Sequence, residues 1–240
     1  MKTIGLIGGM SWESTANYYR DINEEVKARL GGLHSAQILL YSVDFHEIET
    51  LQHEGRWDEA GVRLGKVAAT LENGGADVVA LCTNTMHKVA PAIEASLRVP
   101  FLHIADPTAA AIRQAGNRRI GLLGTRFTME EDFYRGRLTQ KHGLEVIVPE
   151  AAERECIHRV IYDELCLGKV LEASRQAFRR IIAGLVEQGA EGVILGCTEI
   201  AMLVSQEDSS VPLFDTTSLH ATGLVDFALQ DTPAACTAST

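Results

Sequence analysis

The sequence predicts an α/β fold of two pseudo-symmetric lobes, each with a parallel sheet flanked by helices. Three observations predict it: short apolar runs recur along the chain, helical patterns separate them, and the second half repeats landmarks of the first. The runs are Thr3–Ile7, Gln37–Ser42, Asp77–Leu81, Phe101–Ile104, Ile120–Leu123, Glu145–Val148, Gly192–Leu195 and Leu213–Phe214. They lack polar alternation, so they read as strands buried on both faces of a parallel sheet. Helical patterns cover Ser14–Leu30, with Ser11 as N-cap and Gly31 past the end, and Trp57–Glu72, ended by Asn73-Gly74-Gly75. Further ones cover Met129–His142, Glu153–Leu167 and Leu171–Glu187, the last two separated by Gly168. Regular alternation of strand and helix is the signature of an α/β protein.

The repeat is internal and ordered. Ile4-Gly5-Leu6-Ile7-Gly8 matches Ile120-Gly121-Leu122-Leu123-Gly124, Gly75-Ala76-Asp77 matches Gly189-Ala190-Glu191, and Val99-Pro100 matches Val211-Pro212. Three ordered matches at nearly one offset imply two copies of a unit of roughly 115 residues. Residues 1–98 are expected to form the first lobe, joined by a returning helix over 216–230, and residues 99–215 the second. The tail, 231–240, is expected to be disordered. Ligands in such sheets bind at the carboxyl ends of the strands, so two facing lobes would form one cleft.

Composition narrows the function classes. The 240 residues are 46% hydrophobic and 22% charged, ordinary for a soluble globular chain. A formal net charge of −10 argues against nucleic-acid or anionic-membrane binding, both of which need a cationic field. The opening MKTIGLIGGM reads as a strand rather than a signal peptide, and no apolar run approaches the ~20 residues of a membrane span. The five cysteines (Cys82, Cys156, Cys166, Cys197, Cys236) are odd in number and form no CxxC. Neither a disulfide framework nor a metal site is expected, and reduced thiols point to the cytoplasm.

Each copy carries a polar cluster where its third strand ends: Cys82-Thr83-Asn84-Thr85-Met86-His87 in the first, Gly196-Cys197-Thr198-Glu199 in the second. A helix start offers unsatisfied N–H donors, which lower a thiol's pKa and hold carboxylates. Cys197 is therefore the leading reactive group. Cys156 and Cys166 lie on helical patterns and read as core or surface residues, while Cys236 belongs to the tail.

These strand-end motifs, the opening IGLIGGMSWEST and the segment SVDFHEIETLQHEGRW resemble the aspartate/glutamate racemase superfamily over about residues 1–230. The nearest branch is the bacterial L-aspartate/glutamate-specific and broad-specificity amino-acid racemases. The resemblance implies two flavodoxin-like lobes with the active site in the cleft between them, and a homodimer. It implies proton transfer at the α-carbon of an acidic amino acid by two groups on opposite faces, without pyridoxal phosphate or metal. It also implies substrate contacts at Met10, Gln52, Thr83, Asn84, Thr85, Thr198 and Glu199.

The chain departs from the family pattern in two places. The first motif is typically Cys-Asn-Thr, but here Thr83-Asn84-Thr85 stands in its place and Cys82 falls one residue early. The repeat agrees, because Thr83 lies as far beyond Ala76 as Cys197 lies beyond Ala190. Neighbouring side chains of an extended segment point to opposite faces, so Thr83 is the expected partner of Cys197 and Cys82 the alternative. Second, Leu167 occupies the place of a lysine that in aspartate-specific relatives pairs with the side-chain carboxylate, and Lys169 is displaced.

The turn Gly8-Gly9-Met10-Ser11 would bring backbone N–H groups to a carboxylate. Glu199 could instead cap a helix, and His87, His103 and His220 are either proton relays or structural. His46, His53 and Trp57 read as rim or core. Three other functions compete with an acidic amino-acid racemase: a broad-specificity amino-acid racemase, which the uncharged Leu167 would suit, a single-thiol decarboxylase of the same superfamily, and a non-catalytic small-molecule binding protein.

Overall fold

The computed structural model describes residues 1–230; the disorder expected for 231–240, with Cys236, lies outside the described residues. In chain order the elements are β1 (Ile4–Gly8), α1 (Trp12–Leu30), β2 (Ile38–Ser42), α2 (Phe45–His53), α3 (Trp57–Asn73), β3 (Val78–Leu81), α4 (Ala90–Glu94), β4 (Phe101–Leu102) and α5 (Ala105–Gln114). Then come β5 (Arg119–Gly124), α6 (Arg126–Glu130), α7 (Asp132–Gly136), β6 (Glu145–Ile147), α8 (Ala151–Asp163), α9 (Glu172–Glu187), β7 (Gly192–Gly196), α10 (Ile200–Leu203), β8 (Leu213–Asp215) and α11 (Thr216–Leu229). Every expected strand is present.

They form two parallel four-stranded sheets of identical topology, β2-β1-β3-β4 and β6-β5-β7-β8. The central strands β1, β3 and β7 are buried along their whole length. The edge strands β2 and β6 are not, contrary to the expectation of burial on both faces: Leu40 and Tyr41 of β2 are 45% and 43% exposed. An edge strand lacks a neighbour on one side, so its apolar residues find partial cover only.

Contacts divide the chain into two compact units. The first comprises Met1–Cys82, Val89–His103 and the C-terminal segment from His220; the second comprises Thr83–Lys88 and Ile104–Leu219. β4 pairs with β3 and completes the first sheet, so that sheet runs past the expected boundary at 98/99. The first unit packs Ile4, Leu6, Tyr18, Ile22, Val26, Val78, Leu224 and Val225 into a core. The second gathers Leu122, Tyr134, Ile157, Phe178, Ile182, Ile194 and Phe214. Each such side chain contributes about 1.5–3 kcal/mol by leaving water.

Local sequence explains the helix ends. Ser11 caps α1 by accepting from Ser14 N, as expected. The helix expected over Met129–His142 is broken at Glu131, which is extended (φ −93°, ψ 155°) and whose carboxylate meets Lys88 Nζ at 2.7 Å. The segment becomes α6, α7 and one π-helical turn over Arg137–Lys141. Similarly, α8 stops at Asp163 and a 3₁₀ turn carries Leu165–Leu167. No helix of the described residues is long and apolar enough to cross a membrane.

Candidate active site

The registers of the two sheets align the strand-end clusters. In the first sheet Ile4 lies opposite Val78 and Ile7 opposite Leu81; in the second, Ile120 lies opposite Gly192 and Leu123 opposite Leu195. One step on, Cys82 N donates to Ile7 O at 2.9 Å, while Gly196 lies opposite Gly124. Cys82 is therefore the positional twin of Gly196, and Thr83 the twin of Cys197.

Within the first unit Cys82 is fully buried in the core with Ile4, Tyr18, Val78 and Leu224, and burial pushes its thiol pKa well up. Met10 and Gln52 are 3% and 6% exposed, on the β1–α1 turn and on α2. The turn itself does not offer all the donors expected of it. Gly9, at φ +93°, has its N–H bonded to Thr15 Oγ1 at 2.9 Å. Any Cβ there would lie 2.3 Å from Val43 O, so only glycine fits. His220 is structural: its Nε2–H donates to Leu102 O at 2.8 Å and its Nδ1 accepts from Tyr18 OH at 2.8 Å. His103 is buried edge-on to Phe101. His46 and His53 are exposed, and Trp57 is half-buried. His46 lines a groove of about 750 Å³ with Glu47, Arg56, Glu59 and Arg63, whose charges pair with one another.

The second unit gathers the remaining expected residues. Cys197 is 8% exposed, and its Sγ donates to Glu199 Oε2 at 3.0 Å. Thr198 Oγ1 donates to the same oxygen at 2.7 Å. The helix-start effect expected to depress the thiol's pKa is absent, because α10 begins only at Ile200 and is four residues long. Burial instead raises the Cys197 pKa well above the ordinary thiol value, and the negative charge of Glu199 raises it further. The resting group is a thiol whose proton is aimed at a carboxylate.

Thr83 is half-buried, in contrast to Cys82. His87 holds it from behind: its Nε2 accepts from Ile104 N at 3.2 Å, so its Nδ1–H donates to Thr83 O at 2.7 Å. With both ring nitrogens engaged by backbone, His87 positions Thr83 rather than relaying protons. Asn84 Nδ2 donates to Thr216 Oγ1 at 3.0 Å, and Thr216 Oγ1 donates to Leu195 O at 2.9 Å. That chain ties the Thr83–Thr85 segment to β7, the strand that ends one residue before Cys197. Asn84 Oδ1 is left buried without a hydrogen-bond partner among the described residues. Thr85 Oγ1 bonds Thr125 Oγ1 at 2.9 Å, which is 3.2 Å from Thr128 Oγ1. Sequence reasoning missed Thr125, Thr128 and Thr216. Thr125 was open to discovery, because it is the repeat's counterpart of Gly9 and follows Gly124 at the end of β5.

The thiol–carboxylate pair makes a direct prediction. Glu199→Gln removes the negative charge that favours the protonated thiol, so the pH midpoint for alkylation of Cys197 by iodoacetamide should fall. It should remain above the ordinary thiol range, because burial is the larger cause. Mass-spectrometric alkylation rates across pH measure it, and an unchanged or higher midpoint contradicts the pairing.

The family model for Asp/Glu/Hydantoin racemase matches residues 7–224 of this chain. Over 227 residues the chain is 24% identical to the broad specificity amino-acid racemase RacX of Bacillus subtilis, an alignment covering 92% of this chain and 96% of RacX. A Yersinia pestis protein described as a “putative Asp/Glu Racemase” superposes with a TM-score of 0.91 at 61% identity, covering 96% of this chain and 100% of that one. An aspartate racemase homologue from Pyrococcus horikoshii gives a TM-score of 0.83 at 36% identity, with coverage of 95% and 99%.

Proposed function

This chain belongs to the Asp/Glu/Hydantoin racemase family, and from that premise we propose that it racemises acidic amino acids, L-aspartate and L-glutamate, without pyridoxal phosphate or metal. Amino-acid racemase is the activity its relatives support; the acidic substrate and the roles below are our reading. One observation carries it: a thiol hydrogen-bonded to a carboxylate, Cys197 to Glu199, occupies the register position whose twin is the hydroxyl of Thr83.

The chemistry is a proton exchange at the α-carbon. The thiol proton passes from Cys197 Sγ to Glu199 Oε2, and the thiolate then takes the α-proton of the L-enantiomer. Thr83 Oγ1 delivers a proton to the opposite face and is reprotonated from water, and Glu199 returns its proton to the hydroxide so formed, which closes the cycle. The substrate's ammonium group supports the first step, since a cation beside the sulfur lowers its pKa. Asn84 Oδ1 is available for that ammonium. A buried unsatisfied acceptor costs about 1–3 kcal/mol, and an incoming N–H donor relieves that cost. Thr85 supplies a hydroxyl for the α-carboxylate, and Met10, Gln52 and Thr198 are further proposed substrate contacts. The proposed protein is a cytoplasmic homodimer with reduced cysteines.

A panel of L- and D-amino acids in D₂O, followed by proton NMR, tests the reading. Loss of the α-proton signal from aspartate and glutamate is the expected result. Release of CO₂ without exchange would instead identify a decarboxylase, and neither event a binding protein.

A further inference from the structure

An acidic amino acid brings two carboxylates and one ammonium group. The residues assembled around Cys197 and Thr83 are neutral apart from Glu199, which is itself an anion. A second carboxylate placed among them without a cation would meet repulsion as well as desolvation. Leu167, 62% exposed on its 3₁₀ turn, supplies no charge.

In the second unit, the cations within two residues of a strand's carboxyl end or in Thr83–Lys88 are Arg126 and Lys88. Lys88 is committed: its Nζ lies 2.7 and 2.8 Å from the two carboxylate oxygens of Glu131. The Arg126 guanidinium has no carboxylate partner among the described residues. Its backbone is fixed, with Arg126 N donating to His158 Nδ1 at 3.3 Å, and it directly follows Thr125, whose hydroxyl bonds Thr85. The guanidinium carbon and Lys88 Nζ each lie 5.9 Å from the centre of the Phe127 ring. Two cations around one ring against one carboxylate, Glu131, leave the exposed Arg126 guanidinium uncompensated, one residue along the chain from Thr125, whose hydroxyl bonds Thr85.

We propose that Arg126 is the specificity-determining residue that receives the side-chain carboxylate of the substrate. This rests on the racemase reading and names the group that selects acidic substrates within it. A guanidinium suits the task because its fork of N–H donors matches a carboxylate bidentately, while the Phe127 ring supports its flat face.

The test compares binding of L-aspartate with binding of its neutral isostere L-asparagine by titration calorimetry, alongside α-proton exchange in D₂O. Arg126→Gln should weaken L-aspartate binding by about tenfold to a hundredfold, the range of a charge-assisted contact, and leave L-asparagine within about twofold. Arg126→Lys should fall between, keeping the charge and losing the fork. Lys169→Gln should change neither ligand. Equal losses for both ligands in Arg126→Gln overturn the proposal, as does a charge-selective loss confined to Lys169→Gln. The binding arm stands independently of catalysis: selective loss of L-aspartate binding supports Arg126 even if no α-proton exchanges, an outcome that refutes only the racemase reading. If the unaltered protein binds no acidic amino acid, both ideas fall.

Discussion

Replacing Cys197 with serine is expected to slow α-proton exchange of L-aspartate or L-glutamate by at least about 100-fold, the lower end of what a positioned acid–base group contributes. The substitution exchanges sulfur for a smaller oxygen at a site only 8% exposed, so it keeps the polar contact and nearly the volume. What it removes is ionisation. A thiol is a few per cent thiolate near neutral pH before its surroundings act, whereas a serine hydroxyl yields no useful alkoxide. Here burial and Glu199 already hold the thiol protonated, so the margin for a still weaker acid is nil. Circular dichroism and thermal melting establish that the variant folds, and proton NMR in D₂O measures the exchange. Near-normal exchange in a folded Cys197→Ser protein removes Cys197 from the chemistry.

The sequence made the sheets legible because parallel strands buried between helices are short, apolar and regularly spaced. It also made the register of the clusters legible, because a duplicated strand–turn unit keeps its spacing from Ala76 to Thr83 and from Ala190 to Cys197. The pairings Ile4 with Val78 and Ile120 with Gly192 reproduce that spacing. Helix α2 left a signal that went unread: Asp44 caps it by accepting from His46 N at 3.0 Å, and Glu47 lies in its first turn.

Other features were not legible because they depend on partners distant in sequence. The bond between Thr85 and Thr125 joins residues forty apart, and His87 reaches Ile104 across seventeen. The Cys197 thiol was misjudged for the same reason. A strand end before a helix suggested a lowered pKa, but α10 is too short to act and the Glu199 carboxylate turns back onto the sulfur. Local pattern locates a reactive group, and its surroundings decide its protonation.

The unequal pair of acid–base groups leads to the second large effect. A thiolate and a hydroxyl cannot abstract protons equally well, so with Cys197 serving the L-enantiomer and Thr83 the D-enantiomer, deprotonation of the D-form should be much the slower. Mirror-image substrates have equal free energy in water, so the equilibrium ratio is one and kcat/KM must match in the two directions. The difference therefore appears as a low kcat with a correspondingly low KM for the D-enantiomer, and as exchange of the L-enantiomer's α-proton without matching inversion. Thr83→Cys should raise kcat from the D-side by about tenfold or more, by putting an ionisable group where only a hydroxyl stands. Cys82→Ala should leave both rates nearly unchanged, because the Cys82 side chain is fully buried in the core of the first unit. Its effect should be on stability, about 1 kcal/mol for a small buried group removed. Rates from each enantiomer, by polarimetry and by deuterium incorporation, decide the matter. If Cys82→Ala abolishes inversion while Thr83→Ala is silent, the register argument fails and Cys82 is the second acid–base group. If Thr83→Cys accelerates only the D-direction turnover, the hydroxyl of Thr83 faces the α-carbon and sets the enzyme's directional bias.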